Sequence, residues 1–211
     1  MFIDRVDAGK QLAKSLVDYK GKNVVVLGIP RGGVVIAKEV AKALNAPMGL
    51  VLPRKIGAPG NPELAIGALA SKDTVMINEQ LKNSLRVSDN YIKEEIEKQV
   101  LEIKRRRDKY LSNRPSLDLK DKVVILVDDG LATGYTASVA IKEVQSKRPK
   151  KLILAVPVSS KDTYERLKKE VDELICLHTP EFFYAVGQFY LNFSQVSDNE
   201  VIEILKNFGT T

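Results

Sequence analysis

Short runs of apolar residues alternate along the chain with stretches in which apolar residues recur at helical spacing. The clearest run, residues 123–127, is apolar throughout and four of its five residues are β-branched. Such a run is typical of a strand buried on both faces of a parallel sheet. Similar runs predict strands at residues 23–28, 48–52, 64–70, 74–77, 151–158 and 174–177. Helical spacing predicts helices at residues 4–19, 34–44, 88–111, 137–144, 162–169 and 200–206.

The alternation of these strands and helices predicts an α/β fold, with a mostly parallel sheet and helices on both faces. The chain has 211 residues, of which 44% are hydrophobic and 28% charged. These values are typical of a single soluble globular domain, so residues 1–211 are interpreted as one domain. No apolar run has the length of a membrane span, and charged residues fill the segment where a signal sequence would lie. We therefore expect a cytoplasmic protein without a membrane partner.

Two carboxylates, Asp128 and Asp129, follow the strand at residues 123–127 directly. Burying adjacent like charges without partners is costly, so the strand is expected to end at a crevice filled by solvent or ligand. The next residues, 130–136, are mostly small or carry hydroxyls, and they lead into a predicted helix. The amino end of a helix offers free backbone N–H groups that suit a phosphate, whereas carboxylates suit hydroxyl groups or a metal. A ribose 5-phosphate has this arrangement of groups.

The run D-D-G-L-A-T-G-Y-T after an apolar strand resembles the signature of type I phosphoribosyltransferases. The resemblance implies the type I phosphoribosyltransferase fold, with its core at about residues 23–178. It implies that Asp128 and Asp129 hold the ribose hydroxyls of 5-phosphoribosyl 1-diphosphate (PRPP). The 5-phosphate of PRPP would be bound by Ala132, Thr133, Gly134, Tyr135 and Thr136. Magnesium is the implied cofactor, bound mainly by PRPP, with Asp128 and Asp129 helping directly or through water.

A second turn that suits phosphate follows the first predicted strand, in Gly28-Ile29-Pro30-Arg31-Gly32-Gly33. Its glycines allow close backbone approach, and Arg31 carries a planar fork of donors for phosphate oxygens. Proline stands where the dinucleotide-binding pattern needs its second glycine, and the chain has no Walker-type phosphate loop. The resemblance implies that Arg31, Gly32 and Gly33 bind the pyrophosphate of PRPP.

Glycines and prolines at residues 53–62 predict a flexible hairpin loop. Arg54 and Lys55 lie at its start. Members of the family have a flexible loop here that closes over the active site, and closure would exclude water and bring basic side chains to the departing pyrophosphate. Arg54 and Lys55 are therefore the predicted catalytic residues, with a solvated surface position as the alternative.

The segment after the last predicted strand, at about residues 179–211, is expected to form a small hood over the acceptor, to which residues 1–20 could contribute. Planar rings there could stack on a nucleobase, form a satellite core or make a subunit contact. The aromatic residues concerned are Phe182, Phe183, Tyr184, Phe189, Tyr190 and Phe193. The only histidine, His178, precedes them as a candidate acid or base or a structural residue, and the only cysteine, Cys176, is interpreted as a small buried hydrophobic residue.

The net charge of +6 favours anionic partners, but PRPP satisfies it as well as nucleic acid does. The basic run at residues 104–109 is the best candidate for contact with nucleic acid. It lies on the outside of a long predicted helix without interleaved aromatic residues, so we interpret it as a solvated face and do not expect a nucleic-acid partner.

The resemblance implies an enzyme that transfers the phosphoribosyl group of PRPP to a nitrogenous base and releases pyrophosphate, and a homodimer is the expected assembly. Enzymes that act on hypoxanthine and guanine typically have an aspartate where this chain has Ala132, which argues against a 6-oxopurine acceptor. Two alternatives stay open: a PRPP-sensing regulator that binds nucleic acid, and a PRPP-binding protein that has lost catalysis.

Overall fold

The chain forms two β-sheets within residues 1–112 and 117–208, which are the residues described by the structure, a computed structural model. In chain order the strands are β1 (Val24–Gly28), β2 (Met48–Leu50), β3 (Arg54–Ala58), β4 (Asn61–Leu69), β5 (Val75–Ile77), β6 (Val123–Val127), β7 (Lys151–Val158) and β8 (Glu173–His178). Five of them form a sheet in the order β2-β1-β6-β7-β8, in which every neighbouring pair is parallel. The predicted parallel sheet is thus confirmed, and the acidic pair follows its middle strand.

Helices cover both faces of this sheet. The helices of the described residues are α1 (Arg5–Lys14), α2 (Gly32–Leu44), α3 (Glu79–Ser84), α4 (Asp89–Leu111), α5 (Tyr135–Gln145), α6 (Lys161–Leu167) and α7 (Asp198–Lys206). Of these, α1, α2, α5 and α6 contact strands of the parallel sheet, whereas α3 and α4 contact the second sheet and α7 packs on α2 and α4. Successive residues of β6 point to opposite faces: Ile125 joins the core beneath α1 and α2, whereas Leu126 joins the core beneath α5. Because both faces are covered, β6 is apolar throughout, and the first polar residue is Asp128.

The hairpin predicted at residues 53–62 is present as β3 and β4, joined by a turn at Pro59 and Gly60. With β5 these strands form a three-stranded antiparallel sheet that packs against α4. The hydroxyl of Tyr91 on α4 donates to the Gly57 carbonyl oxygen at 3.0 Å. Movement of the hairpin over a ligand stays a prediction.

The residues that precede α1 pair with the segment that follows β8. Phe2 pairs with Tyr190 in a parallel bridge, and its backbone N–H donates to the Phe189 carbonyl oxygen at 2.8 Å. The Leu191 N–H donates in turn to the Phe2 carbonyl oxygen at 2.9 Å. Residues 209–211 of the predicted hood lie outside the described residues. Among the described helices, none combines the length and the apolar character that a membrane span requires.

Candidate active site

The acidic pair lies at the carboxyl end of β6, between the ends of β1 and β7. Both carboxylates are half-buried, and the backbone N–H of Asp129 donates to Asp128 Oδ1 at 2.8 Å. Burial and the neighbouring Asp129 carboxylate raise the pKa of Asp128 well above its usual range. The pKa of Asp129 is also raised by burial, but the Arg5 guanidinium opposes that shift. Two half-buried carboxylates at a strand end suit a ligand that brings hydroxyl donors or positive charge.

Arg5, the first residue of α1, is the main partner of the acidic pair. Its Nε donates to Asp129 Oδ2 at 2.8 Å, and its side chain is only 11% exposed. Its Nη1 donates to the Ser194 carbonyl oxygen at 2.7 Å, and its guanidinium lies over the Phe193 ring, 3.8 Å from the centroid. Sequence reasoning missed Arg5, because an arginine at the start of an amphipathic helix is indistinguishable from a solvated surface residue.

The turn after β1 lies directly against the acidic pair. A Cβ atom added to Gly32 would lie 1.8 Å from Asp129 Oδ2, and one added to Gly33 would lie 2.8 Å from the Val127 carbonyl oxygen and 2.9 Å from Asp128 Cα. These glycines are therefore required for the turn to approach the end of β6. The Pro30–Arg31 peptide bond in this turn is cis.

Arg31 extends from the same turn toward α7, with Nη1 at 3.7 Å from Asp198 Oδ1. Asp198 also accepts hydrogen bonds from Lys109 Nζ at 2.7 Å and from the Tyr110 hydroxyl at 2.6 Å. These donors lower the pKa of Asp198 to about 2. The Arg31 side chain is 40% exposed, so its guanidinium remains accessible to an anionic ligand.

The loop at residues 130–136 leads into α5 through Gly134, whose φ of +73° favours glycine. Its carbonyl groups point toward α6: the Thr163 hydroxyl donates to the Ala132 carbonyl oxygen at 2.6 Å, and Arg166 Nη2 donates to that of Thr133 at 2.7 Å. The first intrahelical hydrogen bond of α5 runs from the Ser138 N–H to the Gly134 carbonyl oxygen. The backbone N–H groups before Ser138 in the first turn therefore have no acceptor within the helix. The loop therefore presents backbone donors and the positive end of a helix dipole.

Among the described residues, no hydrogen bond or ion pair links Arg54 or Lys55 to the acidic pair. Arg54 Nε donates to Gln99 Oε1 on α4 at 2.9 Å, and burial together with nearby Arg106 lowers the pKa of Arg54. Lys55 is exposed at the next position of β3. The structure thus places both residues at the base of the hairpin, on strand β3.

The segment after β8 covers the acidic pair from the other side. A Cβ atom on Gly130 would lie 2.6 Å from Val186 Cγ1, so this segment packs directly on the loop. The buried Tyr190 donates its hydroxyl to the Asp129 carbonyl oxygen at 2.6 Å. By contrast, Phe182 and Tyr184 are 69% and 86% exposed. Of the predicted hood rings, Tyr190 thus contacts the site through Asp129, and Phe193 contacts it through Arg5.

The remaining sequence candidates have ordinary environments. His178 is exposed, with its ring centroid 5.4 Å from that of Phe2. Burial raises the pKa of the Cys176 thiol to about 11, which keeps it protonated at neutral pH. Arg105 and Arg106 in the basic run of α4 both pair with Glu102, at 2.7 and 2.9 Å.

Comparison with known proteins identifies the family. Residues 4–194 match the phosphoribosyl transferase domain. A relative from Mycobacterium tuberculosis (strain H37Rv), named "Putative phosphoribosyl transferase", is 42% identical over 205 residues, which are 97% of this chain and 46% of the relative. The chain thus spans about half the length of the curated relatives it matches.

Two solved structures share the fold. The crystal structure of TT1426 from Thermus thermophilus is 40% identical, with a TM-score of 0.81 and 99% of each chain covered. A hypothetical protein from Neisseria gonorrhoeae, crystallised with bound ppGpp, is 13% identical with a TM-score of 0.50, covers 96% of this chain and 91% of its own, and shows the fold alone. From the match over residues 4–194, this chain belongs to the phosphoribosyl transferase domain family.

Proposed function

We propose that the protein transfers the 5-phosphoribosyl group of PRPP to a nitrogen atom of a nucleobase and releases pyrophosphate. The observation that carries this proposal is that three features meet at the carboxyl ends of the parallel strands. They are the acidic pair, the Gly32–Gly33 turn and the amino end of α5. This arrangement supports a ligand that has hydroxyl groups between two phosphate-bearing ends, which is the layout of PRPP.

In this reaction the acceptor nitrogen forms a bond to ribose C1 while the bond from C1 to the pyrophosphate oxygen breaks. Pyrophosphate leaves with the electron pair, and the acceptor nitrogen releases its proton to solvent. Positive charge develops on the sugar, so the protein contributes by positioning the reactants and stabilising charge. Asp128 and Asp129 would hold the ribose hydroxyls, Arg31 and the Gly32–Gly33 turn would bind pyrophosphate, and residues 132–136 would bind the 5-phosphate.

The acidic pair fits magnesium as an ion bound mainly by the substrate. Carboxylate oxygens are hard ligands, but no group of three or more histidine, cysteine or acidic residues able to hold a metal occurs in the described part of the chain. Asp128 and Asp129 would therefore hold magnesium directly or through water, beside the oxygens of PRPP. The bound ion would neutralise charge on the pyrophosphate group.

Arg54 and Lys55 are proposed to act on the leaving pyrophosphate when the hairpin closes. Arg54→Gln and Lys55→Gln should then lower kcat, with a smaller change in the Kd for PRPP, because the interaction forms only in the closed state. Lys72→Gln, at an exposed position shortly after β4 of the same hairpin, is the matched control. Unchanged kcat in both hairpin variants would remove these residues from the mechanism.

The acceptor is proposed to be a nucleobase, and the resemblance around Ala132 argues against a 6-oxopurine. The direct test is pyrophosphate release from PRPP with magnesium across purine and pyrimidine bases, with product masses recorded. A base-dependent release that yields the matching nucleotide mass is the expected result. Bound PRPP without release from any base would instead favour the PRPP-binding alternatives.

A PRPP-sensing regulator that binds nucleic acid is less well supported. Three of the basic residues on α4 already have acidic partners, because Arg105 and Arg106 pair with Glu102 and Lys109 pairs with Asp198. Such pairing reduces the charge available to phosphates of a nucleic acid. Retention on DNA or RNA at moderate salt, abolished by charge reversal at Arg105 to Arg107, would favour the regulator.

The chain is proposed to be a single domain, with a core at about residues 23–178 and a hood at about residues 179–211. Part of residues 1–20 would contribute to this hood. The backbone pairing between Phe2 and Tyr190 supports a contribution of the first residues of the chain to the hood. A homodimer is the proposed assembly, and light scattering of the purified protein would test it.

A further inference from the structure

Arg5 is held in place by groups from two other parts of the chain. The Asp129 carboxylate follows β6, while the Ser194 carbonyl group and the Phe193 ring belong to the segment after β8. With 11% of its side chain exposed, the guanidinium is nearly removed from solvent. An arginine that satisfies a carboxylate, a carbonyl group and an aromatic face at once has its orientation fixed before any ligand arrives.

This ion pair contacts the pyrophosphate turn as well as the acidic pair. A Cβ atom on Gly32 would lie 1.8 Å from Asp129 Oδ2 and 2.7 Å from Arg5 Nε. The α-carbon of Gly32 therefore packs on the bond between these two side chains. A change in the rotamer of Asp129 would disturb the turn that is proposed to hold pyrophosphate.

Each of the two carboxylates accepts a hydrogen bond through one of its oxygens. Asp129 Oδ2 accepts from Arg5, and Asp128 Oδ1 accepts from the Asp129 N–H. This arrangement leaves Asp129 Oδ1 and Asp128 Oδ2 as the oxygens that can accept from ribose hydroxyls. Each carboxylate is thus anchored through one oxygen and presents the other.

We propose that Arg5 is a positioning residue for PRPP binding: it fixes the Asp129 carboxylate against Gly32 and links that carboxylate to the hood at Phe193 and Ser194. This inference rests on the proposed function, because PRPP is the ligand for which the pair is positioned. Arg5 acts through Asp129 and has no assigned contact with the substrate. Lysine cannot replace it fully, since an ammonium group lacks the planar fork that bonds and stacks at the same time.

The first test compares Arg5→Gln and Arg5→Lys with Lys10→Gln, which removes one positive charge from an exposed position of the same helix. Titration calorimetry with PRPP and magnesium measures Kd, steady-state kinetics separate kcat from KM, and thermal melting reports the fold. We expect the Kd for PRPP to rise about 10- to 100-fold in Arg5→Gln, with partial recovery in Arg5→Lys and wild-type affinity in Lys10→Gln. The KM for PRPP should rise more than kcat falls.

A double-mutant cycle with Asp129→Asn separates positioning from general stabilisation. If Arg5 acts through Asp129, adding Arg5→Gln to Asp129→Asn should change the Kd by less than about 3-fold, because the second substitution removes a contact that is already lost. Fully multiplicative effects would overturn the proposal, as would wild-type PRPP affinity in a folded Arg5→Gln variant. If Arg5→Gln does not fold, the same comparison is made with Arg5→Lys.

PRPP binding by the wild-type protein distinguishes a failure of the Arg5 proposal from a failure of the proposed function. PRPP binding by the wild type with unchanged affinity in the Arg5 variants would reject the role of Arg5 and leave the proposed function intact. Absence of PRPP binding in the wild type would reject the proposed function and this inference with it.

Discussion

Replacing Asp128 by asparagine should stabilise the fold while destroying its ligand site. Asp128 and Asp129 are adjacent and half-buried, and burial and mutual repulsion raise the pKa of Asp128. An aspartate whose pKa is higher in the folded state than in the unfolded state opposes folding once it is ionised. That cost is absent below the usual aspartate pKa and grows as pH rises toward the folded pKa. Asparagine removes the cost at neutral pH.

The size of the effect follows from Coulomb's law for two carboxylates on adjacent residues. Two unit charges on the order of 5 Å apart repel by roughly 3 kcal/mol at an effective dielectric constant of about 20. Arg5 offsets part of this repulsion through Asp129, so we expect a net gain of about 1–2 kcal/mol for Asp128→Asn. For a domain of this size, such a gain corresponds to a rise of about 2–8 °C in Tm.

Asp129→Asn should have the opposite effect on stability, although it is the neighbouring residue. It removes the partner of Arg5, whose side chain is 11% exposed, and leaves that guanidinium facing a neutral amide. A loss of about 1–3 kcal/mol is expected, because breaking one side of a largely buried ion pair leaves the other charge uncompensated. The two substitutions therefore change the free energy of unfolding with opposite signs.

Calorimetric melting in EDTA at about pH 7 and about pH 4 measures these differences, since the gain from Asp128→Asn should shrink at the lower pH. Titration with PRPP and magnesium should show at least a roughly 100-fold loss of affinity in Asp128→Asn, and no binding in the double variant with Asp129→Asn. Exposed Asp73→Asn is the control for an ordinary surface aspartate. A fall in Tm together with retained PRPP affinity in Asp128→Asn would refute both the electrostatic reasoning and the site.

Three further predictions test the surroundings of the pair. Gly33→Ala should lower Tm more than Gly21→Ala, because a Cβ atom at Gly33 would lie 2.8 Å from a backbone oxygen of β6. A Cβ atom at Gly21 meets nothing within 4 Å, so that substitution costs only about 1 kcal/mol for the φ of +77°. Equal losses of Tm would contradict this. Tyr190→Phe should reduce the free energy of unfolding by about 1 kcal/mol and weaken PRPP binding several-fold, since the hydroxyl donates to the Asp129 carbonyl oxygen. Urea unfolding and titration calorimetry measure both effects, and Tyr184→Phe, at an exposed position, should change neither. Asp198→Asn should lower the free energy of unfolding by about 1 kcal/mol at about pH 7, after allowance for solvent screening. The loss should shrink from about pH 4 toward pH 2, because the pKa of Asp198 is lowered to about 2. A loss that persists undiminished at about pH 2 in urea unfolding would disprove this.

The framework of the fold was predictable because its signals are local. A strand such as Val123–Val127 is covered on both faces, so it must be apolar throughout, and the first polar residues mark its end at the site. The apolar spacing predicts that α7 begins at Glu200, two residues later than it does in the structure. Ser197 caps this helix and forms a capping box with Glu200, so the helix begins at Asp198.

The partners of the site were not predictable because they depend on contacts between residues distant in sequence. Arg5 and Asp129 are separated by 124 positions, and nothing in the spacing of either residue points to the other. The pairing of Asp198 with Lys109 likewise joins two amphipathic helices whose charges look solvated in isolation. The sequence pattern does not predict the short helix α3, because six residues are too few to show an apolar period.

The contact between the segments around Phe2 and Tyr190 has a consequence for biosynthesis. Arg5 and Ser194 are 189 positions apart, so the residues around Arg5 must wait for a segment that is synthesised much later. On the ribosome, the central sheet can assemble, and Arg5 can meet Asp129, before Phe193 and Ser194 are available to hold the guanidinium. Ligand affinity should therefore rise once residue 194 has emerged, and nascent chains stalled before Tyr190 should retain the sheet and the acidic pair but bind the ligand more weakly.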